Sequence, residues 1–187
     1  MKNISSLDFT YIEKEPKDCI AECLRMINEK VTGVLFVDTN ETFVFKGTSN
    51  KDFNEEYCIE NNIPVYPIYA KGGSIVSMKG DFSFGVCLPK KFVGIRIDFV
   101  MRKVKEILSK HTDNVEMNGN DIMIDGKKLL GSTQYEMNDM FMWVGHFSFT
   151  DSTELIKNLC PVGVKEPSFI SCLSREQFKQ EVLEWLV

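Results

Sequence analysis

The sequence predicts an α+β fold: a single domain with a mixed, mostly antiparallel sheet flanked by helices. Three observations predict it. Short apolar strands come in pairs across turn residues, and amphipathic helical segments are mixed among those pairs. The length, 187 residues, suits one domain with a sizeable core better than two small ones.

Taken in order, "PKDCIAECLRMINEK" places Ile20, Leu24 and Ile27 on one stripe with Cys23 beside it, which predicts a helix from about Asp18 to Lys30. "GVLFVD" and "ETFVFKG" read as two strands separated by a turn at Thr39-Asn40. "NKDFNEEYCIENN" reads as a helix with Asn50 as its N-cap. "IPVYPIYA" carries two prolines, which place it at a sheet edge or in irregular structure. "KGGSIVSMKGD" is a glycine turn followed by a short strand, and "FSFGVCLP" is a further strand ended by Pro89. In "IRIDFVMRKVKEILSKH", Ile95, Phe99, Val100, Val104, Ile107 and Leu108 recur at helical spacing.

"NDIMIDGKKLLGSTQY" is a hairpin, because Asp125-Gly126 between two apolar runs suits a primed turn that needs positive φ. Its strands are expected over Asp121 to Ile124 and Lys127 to Gln134. Side chains alternate along a strand, so Lys127 and Lys128 point opposite ways. One is wet; the other is aimed where Leu130 points, toward the interior or a pocket floor. A lysine sent there must be paired or put to use. "DMFMWVGHFSFT" is a long apolar strand. "DSTELIKNL" starts like a capping box, Asp151 with Glu154, and "SREQFKQEVLEWL" repeats that start with Ser174 and Gln177.

The net charge of −5 excludes a nucleic-acid binder that relies on a global positive field. The charge is uneven: from Lys71 to Lys128 there are eleven Lys/Arg and seven Asp/Glu, a balance of +4 that leaves −9 on the rest. The middle of the chain therefore favours an anionic ligand or an acidic partner about as well as it favours a merely solvated surface. No apolar run approaches membrane-spanning length and no signal peptide is expected, so no membrane is implied. The six cysteines form no Cys-x-x-Cys pair and read as free thiols in a reducing cytosol; Cys19 and Cys23 are one helical turn apart, but His111 and His146 are far off in sequence. No metal site is expected from them.

Three groups of residues carry chemistry. Adjacent glycines in "KGGSIVS" let a backbone approach a ligand, although a plain turn is the simpler explanation. Asn120-Asp121 and Lys128 sit on facing hairpin strands. The lysine suits an anion and the aspartate a Mg²⁺ ion or a ribose, against a plain cross-strand ion pair. His146 in "WVGHFSF" reads first as a satisfied core residue, and no triad partner for it or for Cys87 is visible.

In order, these pieces resemble the catalytic domain of lipoate–protein ligases, in the biotin/lipoate ligase superfamily. "GNDIMIDGKKLLGSTQY" is similar to the family's G-R-N-D, apolar strand, G-K-K, G-S-A segment. "VLFVDTNETFVFKGTSNKDFNEEYCIENNIPVY" resembles its preceding strand–turn–strand–helix, "KGGSIV" its S-G-G-G-A-V loop, and "VGHFSFTDSTELIKNLCP" its H-H-G-T-L-L segment and following helix. The resemblance runs from about Asp18 to Leu173. It implies attachment of lipoate or octanoate to a lysine of a lipoyl-type carrier domain, with ATP and Mg²⁺, in the cytoplasm. It implies Lys128 as the catalytic lysine, Lys127 as the wet one, and a ligand site at Lys71, Gly72, Gly73, Ser74, Asn120, Asp121, Gly131, Ser132 and His146.

The departures are specific. The family's Arg-Arg pair before the glycines reads Ile68-Tyr69-Ala70 here, with Lys71 the nearby cation, and the third glycine is Ser74. Leu130 replaces the small polar residue before Gly131-Ser132, and no accessory domain is expected. The sister octanoyl transferases need no ATP and use a cysteine in P-C-G. That segment reads Pro161-Val162-Gly163 here, which leaves Cys160 as the alternative nucleophile. A biotin ligase is less favoured, and a degenerate domain that only binds an acyl ligand or lipoyl domain is a third possibility.

Overall fold

The structure is a computed structural model that describes residues 10–49, 53–68, 73–92, 97–160 and 165–186. The strands are β1 (Thr10–Lys14), β2 (Gly33–Asp38), β3 (Phe43–Lys46), β4 (Val65–Pro67), β5 (Ile75–Ser77), β6 (Phe82–Pro89), β7 (Val115–Asn118), β8 (Asp121–Ile124), β9 (Lys127–Met137) and β10 (Met140–Phe147). The helices are α1 (Cys19–Asn28), α2 (Glu55–Glu60), α3 (Ile97–Leu108), α4 (Thr153–Leu159) and α5 (Arg175–Leu186).

Seven strands form one sheet in the order β1-β2-β6-β10-β9-β8-β7, and three form a second in the order β4-β3-β5. β1 pairs with β2 in parallel and β3 with β4 in parallel; the other described pairs are antiparallel. The expected mostly antiparallel α+β architecture is therefore present. The strands on either side of Thr39-Asn40 do not pair with each other: β2 is in the large sheet and β3 in the small one. β9 runs on to Met137, and a second tight turn at Asn138-Asp139, both with positive φ, returns it into β10.

The central strands are buried on both faces, so β2, β6 and β10 read as continuous apolar runs instead of alternating ones. Alternation still sorts their side chains. Phe36, Phe84, Phe141, Trp143 and Phe147 face α3 and α5, whereas Leu35, Val37, Cys87, Met140 and Met142 face α1 and the small sheet. The first layer is aromatic. Phe147 lies 5.2 Å from Phe84 and 4.7 Å from Phe178 of α5, centroid to centroid, within the range of favourable ring pairs.

The caps differ in part from expectation. Asn54 caps α2, its side chain accepting from the Tyr57 N–H at 3.1 Å, and Asn50 lies outside the described residues. Asp151 accepts from Thr153 N–H at 2.9 Å, two residues on, and leaves Ser152 as the residue before α4; the box with Glu154 does not form, because the short Asx contact is satisfied first. Ser174 and Gln177 do form a reciprocal box: the Gln177 N–H donates to Ser174 Oγ at 3.1 Å and the Ser174 N–H to Gln177 Oε1 at 2.8 Å.

Phe178 is fully buried and is α5's anchor in the aromatic layer. Phe178→Ala should cost about 3–5 kcal/mol. Urea unfolding should show a lowered midpoint with the slope preserved; a loss under about 1 kcal/mol would mean that α5 contributes little to the core.

Candidate active site

The Asp125-Gly126 turn has φ of 50° and 76°, both positive as a primed turn requires. Past it, β9 does not keep a simple register. Lys127 pairs with Ile124 and Lys128 with Met123, but the next partners are Leu130 with Ile122 and Gly131 with Asp121. Leu129 is the extra residue of a β-bulge. The bulge corrects the expectation that Lys128 shares a face with Leu130. Leu130 goes with Ile122 into the aromatic layer, while Lys128 joins Asp121 and Gly131 on the opposite face. The segment after α4 holds the bulge: the Lys128 N–H donates to Glu166 O at 2.8 Å and the Ser168 N–H to Lys128 O at 2.7 Å. Lys127 lies in solvent, 2.7 Å from Glu166 Oε1.

Lys128 Nζ stands 2.9 Å from Asp121 Oδ1, and Lys165 Nζ 2.7 Å from Asp121 Oδ2. Burial alone would raise the Asp121 carboxyl, but the Lys165 and Lys128 ammoniums offset it and leave its pKa below the ordinary value. Two ammoniums on one carboxylate leave a net positive site, suited to an anion. Both Asp121 oxygens are engaged, and no group of three or more His, Cys, Asp or Glu gathers elsewhere among the described residues. The residues therefore do not fit a resident Mg²⁺.

Gly131 makes room for the lysine: a Cβ there would lie 3.2 Å from Lys128 Nζ and 3.3 Å from Cε. These groups open on a cavity of about 360 Å³ whose wall includes Gly73, Ser74, Asp121, Lys128, Gly131, His146, Cys160 and Lys165. A Cβ at Gly73 would meet no atom within 4 Å, so this backbone faces open space. Lys71 and Gly72 lie outside the described residues. Asn120 and Ser132 stand apart from the wall. Ser132 alternates to the α3 side, with Oγ 3.6 Å from Met101 Sδ, and its hydroxyl and N–H both donate to Asn120 O, at 2.9 and 3.2 Å.

Two side chains missed in the sequence surround His146, which is itself buried. Its Nδ1 is 3.1 Å from Ser83 Oγ, and its Nε2 is 3.6 Å from Asp81 Oδ2, beyond hydrogen-bond range. Asp81 is fully buried and accepts the N–H groups of Met78, Phe149 and Thr150 at 2.8, 2.7 and 3.0 Å, tying the end of β5 to the end of β10. Ser83 is buried and meets Nδ1 away from the wall, so this trio is a support for the site and not a nucleophilic triad. Lys165 was also missed. Only the fold brings it to Asp121, forty-four residues away in sequence.

A second cavity, about 280 Å³ and apolar, adjoins the first, with Ile75 in both walls. The face of β9 that carries Gly131 continues through Thr133, Tyr135 and Met137, paired in register with His146, Val144, Met142 and Met140 of β10. At roughly 3.3 Å per residue, about 13 Å separates Gly131 from Tyr135. Cys19, Cys23 and Ile27 of α1 cover this stretch. Burial pushes the Tyr135 phenol up, so it stays neutral.

Residues 21–177 match the lipoyl protein ligase A/B catalytic domain. The chain belongs to that family. Among solved structures it is similar to LipL1 of P. falciparum in complex with lipoate: TM-score 0.81 and 13% identity over 95% of this chain, which spans 61% of that one. It is similar to the bi-partite lipoate protein ligase of Thermoplasma acidophilum, solved with its E2 lipoyl domain: TM-score 0.77 and 13% identity over 95% of this chain and 82% of that one. A lipoate-protein ligase A bound with ATP gives 0.73 and 13% over 95% and 83%. At such identities these likenesses show the ligase fold. No curated protein matches the chain.

Because Asp121's folded pKa lies below its unfolded value, its two ion pairs add stability that is fully present above the unfolded value of about 3.9. That contribution is lost as pH falls through the lower folded value. The stability difference between wild type and Asp121→Asn should therefore be flat from about pH 5 to 8 and shrink below about pH 4. Urea melts across this range check it; a difference that widens on acidification would contradict the pairing.

Proposed function

We propose that this domain attaches lipoate or octanoate to a lysine of a lipoyl-type carrier domain, through an acyl-adenylate made from ATP, in the cytoplasm. One observation carries the proposal: an ammonium, Lys128, lines a positive cavity that adjoins an apolar one, with Ile75 in both walls. A medium-chain carboxylic acid has the same polarity, with an anionic head and an apolar tail. The tail fits the cavity under α1, and the carboxylate then meets Lys128. Activation joins that carboxylate to the α-phosphate and releases pyrophosphate. The carrier lysine's neutral amine next attacks the acyl carbon, an amide forms and AMP leaves. Lys128 faces negative charge in both steps, and a preorganised cation in a partly dry site is a large catalytic contribution.

Lys165 supplies a second ammonium on the same carboxylate. This bears on the absent Arg-Arg pair, since the site offers two lysines to phosphate although it lacks a bidentate fork. The free thiols of the chain fit a reducing compartment, and no described helix is long and apolar enough to cross a membrane. A second reading, acyl transfer from an acyl-carrier protein through a thioester, is favoured by one specific observation: Cys160 lies in the same cavity wall as Lys128.

Lys128→Ala should abolish both adenylation and transfer while circular dichroism stays native, and Lys127→Ala should be nearly silent. Gly131→Ala should reduce turnover by displacing the Lys128 amine, without unfolding the chain. Equal losses at the two lysines would remove Lys128 from its role.

Lys165→Ala should weaken ATP by roughly one to two decades, the cost of one charge-assisted contact of about 1.5–3 kcal/mol. ATP–pyrophosphate exchange with lipoate and with octanoate measures this. Absence of exchange in wild type, with transfer from acyl-carrier protein that disappears in Cys160→Ser, would replace the ligase by the transferase.

A further inference from the structure

The apolar cavity runs along β9 toward the surface. The C-terminal end of α1 sits beside the β9–β10 turn, where Asn138 Nδ2 donates to Asn28 Oδ1 at 2.9 Å. Cys19, Cys23 and Ile27 therefore cover the cavity along about 12 Å of helix. All three are buried. Leu24 and Met137 belong to the same wall, yet they are 41% and 42% exposed. Met137 is the last residue of β9, so the wall reaches solvent where the strand ends. Glu136, the carboxylate of this stretch, is paired with Lys90 at 2.9 Å. Two large apolar side chains that line a cavity and also face water mark an open end, not a floor.

Length decides what such a cavity holds. The Lys128 ammonium sits over Gly131, and Met137 lies about 20 Å further along the strand. An extended alkyl chain advances about 1.25 Å per carbon, from a C–C bond of about 1.5 Å. With its carboxylate a hydrogen bond away from the ammonium, an octanoyl chain ends roughly 12 Å along, level with Tyr135. The stretch from Tyr135 to Met137, about 7 Å, is then left uncovered. It has room for roughly five more carbons. We infer that the cavity takes straight acyl chains of about twelve carbons, longer than octanoate, and that Leu24 and Met137 form the rim that holds the added carbons. This rests on the assignment of the cavity to the acyl tail. Each methylene that moves from water onto this wall tightens binding, and carbons beyond Met137 return to water and add nothing. Affinity therefore climbs with chain length past eight carbons and levels off where the wall ends.

The test is calorimetric binding of lipoate and of straight-chain octanoate, decanoate, dodecanoate and tetradecanoate to the full chain, below the concentrations at which the acids form micelles. Half-exposed methylenes should add about twofold each, so dodecanoate should bind about tenfold or more tighter than octanoate. Tetradecanoate should stay within about twofold of dodecanoate. In a Leu24→Gln/Met137→Gln variant with a native circular dichroism spectrum, the dodecanoate-to-octanoate ratio should shrink to within about threefold. If the double variant does not fold, each single variant should show part of the same fall. Affinity that peaks at octanoate and drops for decanoate and dodecanoate would mean that the cavity stops at Tyr135, and would overturn the inference while leaving the acyl site intact. A ratio unchanged in the folded variants would overturn it too, because the added carbons would lie elsewhere. No binding of any of these acids to wild type would overturn the acyl-site assignment, and this inference with it.

Discussion

One extra residue in one strand decides where the lysine goes. Without the bulge at Leu129, Lys128 would share a face with Leu130 and enter the aromatic layer under α3 and α5, where its charge would have no described partner. An ammonium buried that way is expensive enough to be displaced or neutralised. The bulge turns it to the opposite face, beside Asp121 and above a glycine that leaves space for it. The 165–168 segment then fixes the bulge through backbone bonds on both sides of Lys128 and supplies Lys165 to the same carboxylate. Backbone irregularity, ion pairing and cavity shape are therefore one arrangement.

The sheet that carries this arrangement has unlike faces. One is closed by large rings, with Phe82, Phe84, Phe147 and Phe178 in mutual contact, and its packing makes β6 and β10 a rigid base. The other is lined by Cys, Met and smaller side chains, and α1 leaves a cavity over it. Rigidity on one side permits open space on the other. Buried Asp81 extends the same logic to the rim, because a carboxylate satisfied by three backbone N–H groups locks the loop ends that border the first cavity.

Features set by local chemistry were legible in the sequence. The Asp-Gly turn, the amphipathic stripe of α3 and the Ser174–Gln177 box depend on residues a few positions apart. What was missed depends on distance or on near-equal alternatives. β1 is short and largely exposed, and it pairs in parallel with β2 after a helix; β7 is four residues with one buried side chain, Val115. Neither shows a clear period. The bulge has no signature in "KKLLGS", since strict alternation is as good a local solution. Lys165 and Asp81 come to their partners by topology alone, and His146 meets a serine of β6 and the aspartate just before that strand, the serine sixty-three residues away in sequence.

The missing arginine pair can be weighed against what replaced it. Two lysines on Asp121 give the site a surplus of one positive charge, whereas an arginine fork would bring charge and fixed geometry together. Lysine charge is a point on a flexible stem, so it attracts an anion without fixing its orientation. Asp121 supplies part of that orientation by holding both amines before any ligand arrives. The arriving anion must then compete with Asp121 for both amines. The same carboxylate that organises the two amines thus also competes with any anion that enters the cavity, and Asp121 and Lys165 set that balance together.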